Sequence, residues 1–353
     1  MKRVINIPIF VSHQGCPNDC VFCNQKRITG IRSEETEGEI RQKIERFLTT
    51  CRTSEAEKEI AYFGGSFTGI EAEKQAMYLQ IAQPYIQSGE VKGIRVSTRP
   101  DYINPEICER LHRNHVTTIE LGVQSADDEV LRQNRRGMKA SDTESAVKVI
   151  RQYPFSLGLQ MMTGMLGSEE KKDLFTAREL IRLRPDFVRI YPTVILRDTA
   201  LYERYLRGEY VPMKLEDSVR LSAELLDLFE AAEIPVIRLG LMAGEEIHET
   251  QVAGPYHSSY RELVESYRIC RTVEQFLQGR QTEGKVLEIV CAPSMVSKVI
   301  GNRRKNVLLW QETYGVRVLV TQSREEPHFR IQLLESADES ASRHVQCPNG
   351  SNK

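Results

Sequence analysis

Between residues 5 and 241 two kinds of run alternate, and this alternation limits the possible folds more than any other feature. Short β-rich runs (INIPIFVS, EIAYFGG, GIRVST, TTIELGV, SLGLQMMT, FVRIYPT and PVIRLGL) are separated by longer ones such as IRQKIERFL, AMYLQIAQPYI, ESAVKVIR and SVRLSAELLDLFEAA. The longer runs place apolar residues at a spacing near 3.6. Repeated βα units demand a parallel sheet with helices outside it, so the chain is α/β. Six or seven units fit a partial (β/α)6-7 barrel. A doubly wound sheet would read the same way, and periodicity leaves both open. Polar residues fall just after each strand-like run, at the sheet end where ligands bind in both architectures.

After the first strand-like run, residues 5–12, comes Cys16-Pro17-Asn18-Asp19-Cys20-Val21-Phe22-Cys23. Three thiols in a C-x3-C-x2-C spacing can fold back on one centre, and thiolate selects iron–sulfur clusters, zinc or Cu(I). Four cysteines usually hold a [4Fe–4S] cluster, so three leave one iron open for a ligand. The rival is a Cys3His zinc site completed by His13. Zinc ligands usually come as two pairs on separate loops, and here there is one compact run. A secreted disulfide framework is disfavoured by the odd clustering and by an N-terminus, MKRVINIPIF, without an h-region. The remaining cysteines, Cys51, Cys108, Cys270, Cys291 and Cys347, stand singly, as buried small hydrophobes or tail residues do.

The strand ends supply further candidates. Gly64-Gly65-Ser66 would let backbone approach a ligand closely, although two glycines also suit an ordinary strand-to-helix turn. Pro100 ends the third strand, and Arg99 before it could bind a carboxylate or phosphate or make a surface ion pair. Gln124 and Ser125 could bond a ribose or amino acid group, or cap the helix that begins at SADDE. Glu120 alternates with Gly122 and Gln124 on one strand face, where a carboxylate inside a barrel must find a partner.

Taken in order, CPNDCVFC, YFGGSF, VSTRPD, ELGVQSADDEVL, NRRG and VRIYPTVILRDTALYERYLRGEY resemble the radical S-adenosylmethionine (SAM) domain of the Elongator catalytic subunit family. The same framework is similar, more loosely, to the oxygen-independent coproporphyrinogen oxidases. The resemblance covers roughly residues 1–240, a plausible span for one domain. It implies a [4Fe–4S] cluster on Cys16, Cys20 and Cys23, with SAM on the open iron and split on reduction into methionine and a 5′-deoxyadenosyl radical. It implies Phe22 near the adenine, and Gly64, Gly65, Ser66, Ser97, Arg99, Gln124 and Ser125 around SAM. Ser66 stands where the family's "GGE" motif often has Glu, which leaves that contact to backbone. Glu120 and Tyr191 are the candidate catalytic side chains. In the Elongator family the matching domain works with an acetyl-CoA-binding acetyltransferase domain; here a different module stands in its place.

That module follows a loosely patterned segment, 242–283, which reads as a cap or linker holding His248 and His257. Residues 284–335 give the order β-α-loop-α-β-β, with VRVLVTQS and HFRIQLLE as a strand pair. This resembles a KH-type RNA-binding module, in which a GXXG loop clamps single-stranded nucleic acid. Gly301, Asn302, Arg303, Arg304 and Lys305 occupy the loop position, with Arg304 in place of the second glycine. Over 285–335 eight Lys/Arg stand against five Glu, a local surplus of +3, although the whole chain carries only −1. A plain α+β scaffold domain is the alternative. A second basic cluster, Arg132, Arg135, Arg136 and Lys139, follows the fourth strand and offers RNA contacts at Arg135 and Arg136. Residues 336–353 read as a disordered tail.

No run of eighteen apolar residues occurs, so no membrane span is expected. The expectation is a cytoplasmic radical SAM enzyme modifying RNA, most simply a tRNA base, with an electron donor such as a flavodoxin or ferredoxin. A small-molecule substrate, or a non-enzymatic RNA-binding iron–sulfur protein, are the alternatives.

Overall fold

The computed structural model describes residues 4–11, 16, 20–23, 35–51, 56–241 and 249–335. Its contacts separate into two units, Met1–Tyr260 and Arg261–Lys353.

The first unit runs β1 (Val4–Phe10), α1 (Glu37–Thr50), β2 (Glu57–Phe63), α2 (Ala72–Gln87), β3 (Gly93–Thr98), α3 (Pro105–Arg113) and β4 (Val116–Gln124). It continues with α4 (Asp128–Gln133), α5 (Ala140–Ile150), β5 (Ser156–Thr163), α6 (Glu170–Arg182), β6 (Phe187–Pro192) and β7 (Ile195–Leu196). Then come α7 (Ala200–Leu206), α8 (Leu215–Ala231), β8 (Val236–Leu239) and β9 (Gln251–Ala253). Local chemistry marks the helix starts. Thr36 and Glu39 form a capping box at α1, Asn104 caps α3 with Pro105 at its first position, and Asp127 caps α4.

Seven strands form one sheet in the order β1-β2-β3-β4-β5-β6-β8, each parallel to its neighbours. A doubly wound sheet would reverse its order at a switch point, and this one does not. The sheet is also curled. Phe63 on β2 and Arg189 on β6 are four strands apart, which is about 19 Å in a flat sheet. Yet the Arg189 guanidinium lies 5.6 Å from the Phe63 ring centroid. The fold is a partial barrel. Its outer face carries Ile60, Tyr62, Ile94, Val96, Ile119, Leu121, Leu157, Leu159, Val188 and Ile190, all closed off from solvent under the helix layer. Its inner face is polar, and that difference between faces positions the site.

The second unit contains α9 (Tyr260–Leu277), β10 (Val286–Cys291), α10 (Val296–Ile300), α11 (Lys305–Tyr314), β11 (Arg317–Gln322) and β12 (Phe329–Leu334). The order β-α-loop-α-β-β is present, but β11 and β12 do not pair with each other. The sheet runs β11-β10-β12, with β10 parallel to β11 and antiparallel to β12. The central place goes to β10 because its Leu287, Ile289 and Cys291 are fully buried, whereas β11 alternates exposed and half-buried positions. Trp310 fills the core with Val299 and Val307. Ile269, Cys270, Val273 and Leu277 of α9 join it, and the part of the expected linker 242–283 from Arg261 onward belongs to this unit. Gly315, at φ +64°, closes α11 in the left-handed conformation that glycine adopts without penalty. The expected tail, 336–353, lies outside the described residues.

Candidate functional site

The cysteine loop leaves β1 at the C-terminal end of the sheet, where Val11 N–H donates to the Phe63 carbonyl at 2.7 Å. Cys16 and Cys23 are half-buried and Cys20 is 4% exposed. A turn donates Cys23 N–H to the Cys20 carbonyl at 2.9 Å. Three other strand-end segments clasp this turn. Val21 N–H donates to the Asn134 carbonyl (3.3 Å), and Leu201 N–H at the start of α7 donates to the Val21 carbonyl (2.7 Å). The Val21 side chain packs with Leu166, Ile195, Leu201 and Tyr210, and Phe22 lies at the rim of that cluster. The Cys20 thiol faces the Arg135 carbonyl at 3.9 Å, and Arg136 Nη1 donates to Cys20 Sγ at 3.5 Å.

Asn134 is the hub of this clasp. It is fully buried, and its Nδ2 donates to the carbonyls of Val130 and Leu166 at 2.8 Å each. The loop that presents Leu166 is held by Asp173, whose carboxylate accepts from Ser168 Oγ (2.6 Å) and Gly164 N–H (2.9 Å). Burial pushes the Asp173 carboxyl up to about 6, and those two hydrogen bonds offset only part of the rise. The native state therefore binds more protons than the unfolded chain between pH 3.8 and about 6, and the Asp173 contribution to stability falls as pH rises through that window. Over that window the wild type should lose on the order of 3 kcal/mol relative to Asp173→Asn. Urea unfolding of both proteins from pH 4 to 7 checks this, and a stability difference that does not change with pH would contradict it.

At the end of β2, Gly64 takes φ +92°, a conformation that suits glycine. Gly64 and Gly65 are half-buried, and the Ser66 side chain is fully buried. Ser66 Oγ accepts from Arg99 N–H (3.1 Å) and shares a proton with Thr98 Oγ1 (2.9 Å). The Ser66 hydroxyl is thus committed to the exit of β3, and only backbone of this turn is left to meet a ligand. Ser97 is half-buried on the inner face. Arg99, read from sequence as either a ligand contact or a surface ion pair, is 4% exposed. It makes a bidentate pair with Asp101 (2.9 and 2.8 Å) and donates to the Arg136 carbonyl, while its Nη1 is buried without a hydrogen-bond partner. Burial opposes its charge, and Asp101 together with the nearby thiols of Cys16 and Cys20 raises its pKa nonetheless.

Gln124, at φ +70°, sits at a register shift in β4 and accepts from Gln160 Nε2 at 3.3 Å. A left-handed glutamine is uncommon, and such strain clusters at functional sites. The hydroxyl of Ser125 is used locally, accepting from Asp127 N–H at 3.1 Å.

Deeper in the barrel the inner face carries an ion network that sequence reasoning saw only at Glu120. Arg95 Nε donates to Glu59 Oε2 (2.8 Å) and its Nη1 to Glu120 Oε1 (2.5 Å). Arg189 Nη2 also donates to Glu120 Oε1 (2.9 Å), and its Nε lies 2.7 Å from Oε2 as an ion pair without a hydrogen bond. Thr117 and Thr118 complete Glu59 at 2.8 Å each. Glu120, expected as a catalytic side chain, has both oxygens occupied by guanidiniums, and this position makes it a structural anchor. Tyr191 OH accepts from Arg189 Nη1 at 3.3 Å.

Of the second basic cluster, Arg132 is paired with Glu129 (2.5 Å), and Arg136 is 5% exposed and turned onto Cys20. Arg136 is therefore not a surface RNA contact. Arg135 is exposed, in a left-handed turn at φ +54°.

In the second unit, residues 302–305 are all exposed. Gly301 takes φ +80°, and Arg303 and Arg304 follow at +52° and +63°. Each left-handed non-glycine costs about 1–2 kcal/mol. Asn306 holds this turn from beneath, where its Nδ2 donates to Ser266 Oγ (3.0 Å) and to the carbonyls of Lys298 (3.3 Å) and Val299 (3.1 Å). A side chain at Gly301 would meet Asn306 at 2.9 Å.

A model of the radical SAM superfamily matches residues 10–180, and one of the radical SAM C-terminal domain matches residues 185–268. The chain belongs to the radical SAM superfamily. The tRNA uridine(34) acetyltransferase of Methanocaldococcus jannaschii is 26% identical over 260 residues, covering 63% of this chain and 48% of that protein. Elongator complex protein 3 of Homo sapiens is 32% identical over 139 residues, covering 38% of this chain and 25% of that one. The chain thus spans about half the length of the tRNA uridine(34) acetyltransferase. Among solved structures, the Methanocaldococcus infernus Elp3 with an N-terminal deletion superposes with a TM-score of 0.61 at 21% identity, over 77% of this chain and 64% of that one. Coproporphyrinogen III oxidase (HemN) of Escherichia coli gives 0.50 at 14% identity, over 65% and 53%.

Radical SAM enzymes use a [4Fe–4S] cluster and SAM, and the residues present fit both. Two buried guanidiniums stand beside the thiols, and Arg99 Nη1 has no hydrogen-bond partner, as suits an anionic ligand set. Among the described residues no three Cys, His, Asp or Glu side chains converge on a single-ion site. His13, the fourth ligand of the zinc reading, lies outside the described residues, as does His248. Among the described residues no helix is long and apolar enough to cross a membrane.

Proposed function

We propose that this radical SAM enzyme modifies RNA, with a tRNA base as its target. The observation that carries the reading is the exposed turn at 302–305, where two left-handed arginines and a lysine are presented from a buried asparagine anchor. Arginines held in costly geometry at a rigid turn suit phosphate capture. The element order around them supports a KH-like module, and the tRNA uridine(34) acetyltransferases among the relatives support the substrate class.

In this reading Cys16, Cys20 and Cys23 ligate the cluster, which supplies, with SAM, hydrogen abstraction from the substrate. Backbone of Gly64 and Gly65, with Ser97, Arg99 and Gln124, holds SAM, and Phe22 closes the adenine side. Ser66 and Ser125 shape these turns, and Tyr191 faces the substrate space. A flavodoxin or ferredoxin in the cytoplasm supplies the electron.

Arg303→Glu combined with Arg304→Glu should weaken tRNA binding by about tenfold or more. The salt slope should fall by roughly 1.4, at about 0.7 per lost single-strand phosphate contact. Binding titrations at several salt concentrations measure both, and unchanged affinity and slope would contradict the role of the turn. Mass spectrometry of tRNA nucleosides from cells with and without the gene tests the substrate class, and identical nucleoside profiles would overturn it.

A further inference from the structure

We propose that Arg136 sets the reduction potential of the [4Fe–4S] cluster through its hydrogen bond to the Cys20 sulfur. The inference rests on Cys20 being a cluster ligand and is independent of the RNA reading.

The chain turns sharply here. Arg135 at φ +54° and Gly137 at φ +66° flank Arg136, so that one arginine points to solvent and the next is buried. Arg136 Nη1 lies 3.5 Å from Cys20 Sγ. Its Nη2 donates to the Gly122 carbonyl on β4 at 2.5 Å and approaches Met138 Sδ at 3.8 Å. Its own carbonyl accepts from Arg99. Arg136 is thus fixed at both ends and cannot swing away from the sulfur. It also ties the Cys20 corner to the end of β4, where Gln124 stands.

Electrostatics at this corner favour the reduced cluster. Cys20 and Arg136 are 4% and 5% exposed, so little water screens the guanidinium from the sulfur. Arg99, near Cys16 and Cys20, adds a second cation, and Asp101 neutralises one of the two. Hydrogen bonds to cluster sulfurs and nearby positive charge stabilise the more negative, reduced state and raise the potential. Arg136 is a positioning residue that acts through Cys20. The sequence shows it only as the third letter of NRRG, indistinguishable from its exposed neighbour.

The test is a redox titration with dithionite, followed by electron paramagnetic resonance, on the anaerobically reconstituted full chain without SAM or RNA. Arg136→Gln should leave about tenfold less reduced cluster at a given potential, a downward shift of about 59 mV for one electron. Arg136→Lys keeps the charge but not the fork, and should shift in the same direction by less. Arg135→Gln, which alters only the exposed side chain, should not shift the potential. A wild-type midpoint in Arg136→Gln with full iron content overturns the proposal, as does an equal shift in Arg135→Gln. If Arg136→Gln fails to hold iron, Arg136→Lys decides, and a midpoint equal to wild type overturns the proposal. Wild-type protein that takes up no iron would overturn the ligand assignment and this inference together.

Discussion

Cys20→Ser is expected to reduce 5′-deoxyadenosine formation to the limit of detection and to remove most of the bound iron. Serine oxygen is a hard ligand and does not replace thiolate at iron–sulfur centres. Cys20 is also the most buried of the three, and Arg136 donates to its sulfur. In the proposed ligand set, its replacement removes one of three thiolates. Cys16→Ser and Cys23→Ser should behave alike in turnover, whereas serine at Cys51 or Cys108, away from this loop, should leave iron content unchanged. Iron and sulfide content with product chromatography measures the effect, and far-UV circular dichroism separates it from unfolding. A Cys20→Ser variant with full iron and normal turnover would contradict the ligand set.

Glu120→Ala should destabilise the protein by about 3–5 kcal/mol, the cost of leaving buried charge unpaired. Arg95 would keep Glu59, but Arg189 would lose both oxygens that it now shares, at 2.9 and 2.7 Å. The network spans β2, β3, β4 and β6, so its failure would loosen the curl of the sheet as well as one contact. Urea unfolding measures the loss. The same residue separates two roles. A structural anchor loses stability in Glu120→Gln before it loses chemistry, while a proton carrier keeps stability and SAM cleavage and loses formation of the modified product. Glu120→Gln with wild-type stability and SAM cleavage but no product would overturn the structural assignment.

Much of this was legible in the residues. The alternation of runs carried the parallel sheet, and the position of the cysteines after the first strand placed the site at its C-terminal end. Periodicity could not distinguish a barrel from a doubly wound sheet, because both need the same amphipathic helices. That difference lies in strand order and in the approach of Arg189 to Phe63, which are long-range facts. The ion network left a trace, since each of the runs EIAYF, GIRVS, TIELG and FVRIY carries one charge amid apolar residues. Pairing those charges required knowing that the strands share a concave face. Arg136 of the basic cluster after β4 reads as a surface residue because charge composition cannot tell an arginine aimed at solvent, like Arg135, from one aimed at a sulfur. The second unit was legible in element order but not in pairing, because the central place of β10 depends on burial that both flanking strands only partly share.

The central claim is that three cysteines on one loop hold an iron–sulfur cluster in a radical SAM barrel. Metal and acid-labile sulfide analysis of protein purified without oxygen tests it most directly. About four irons and four sulfides per chain are expected, all lost when Cys16, Cys20 and Cys23 are replaced together. Stoichiometric zinc with negligible iron and sulfide would contradict it.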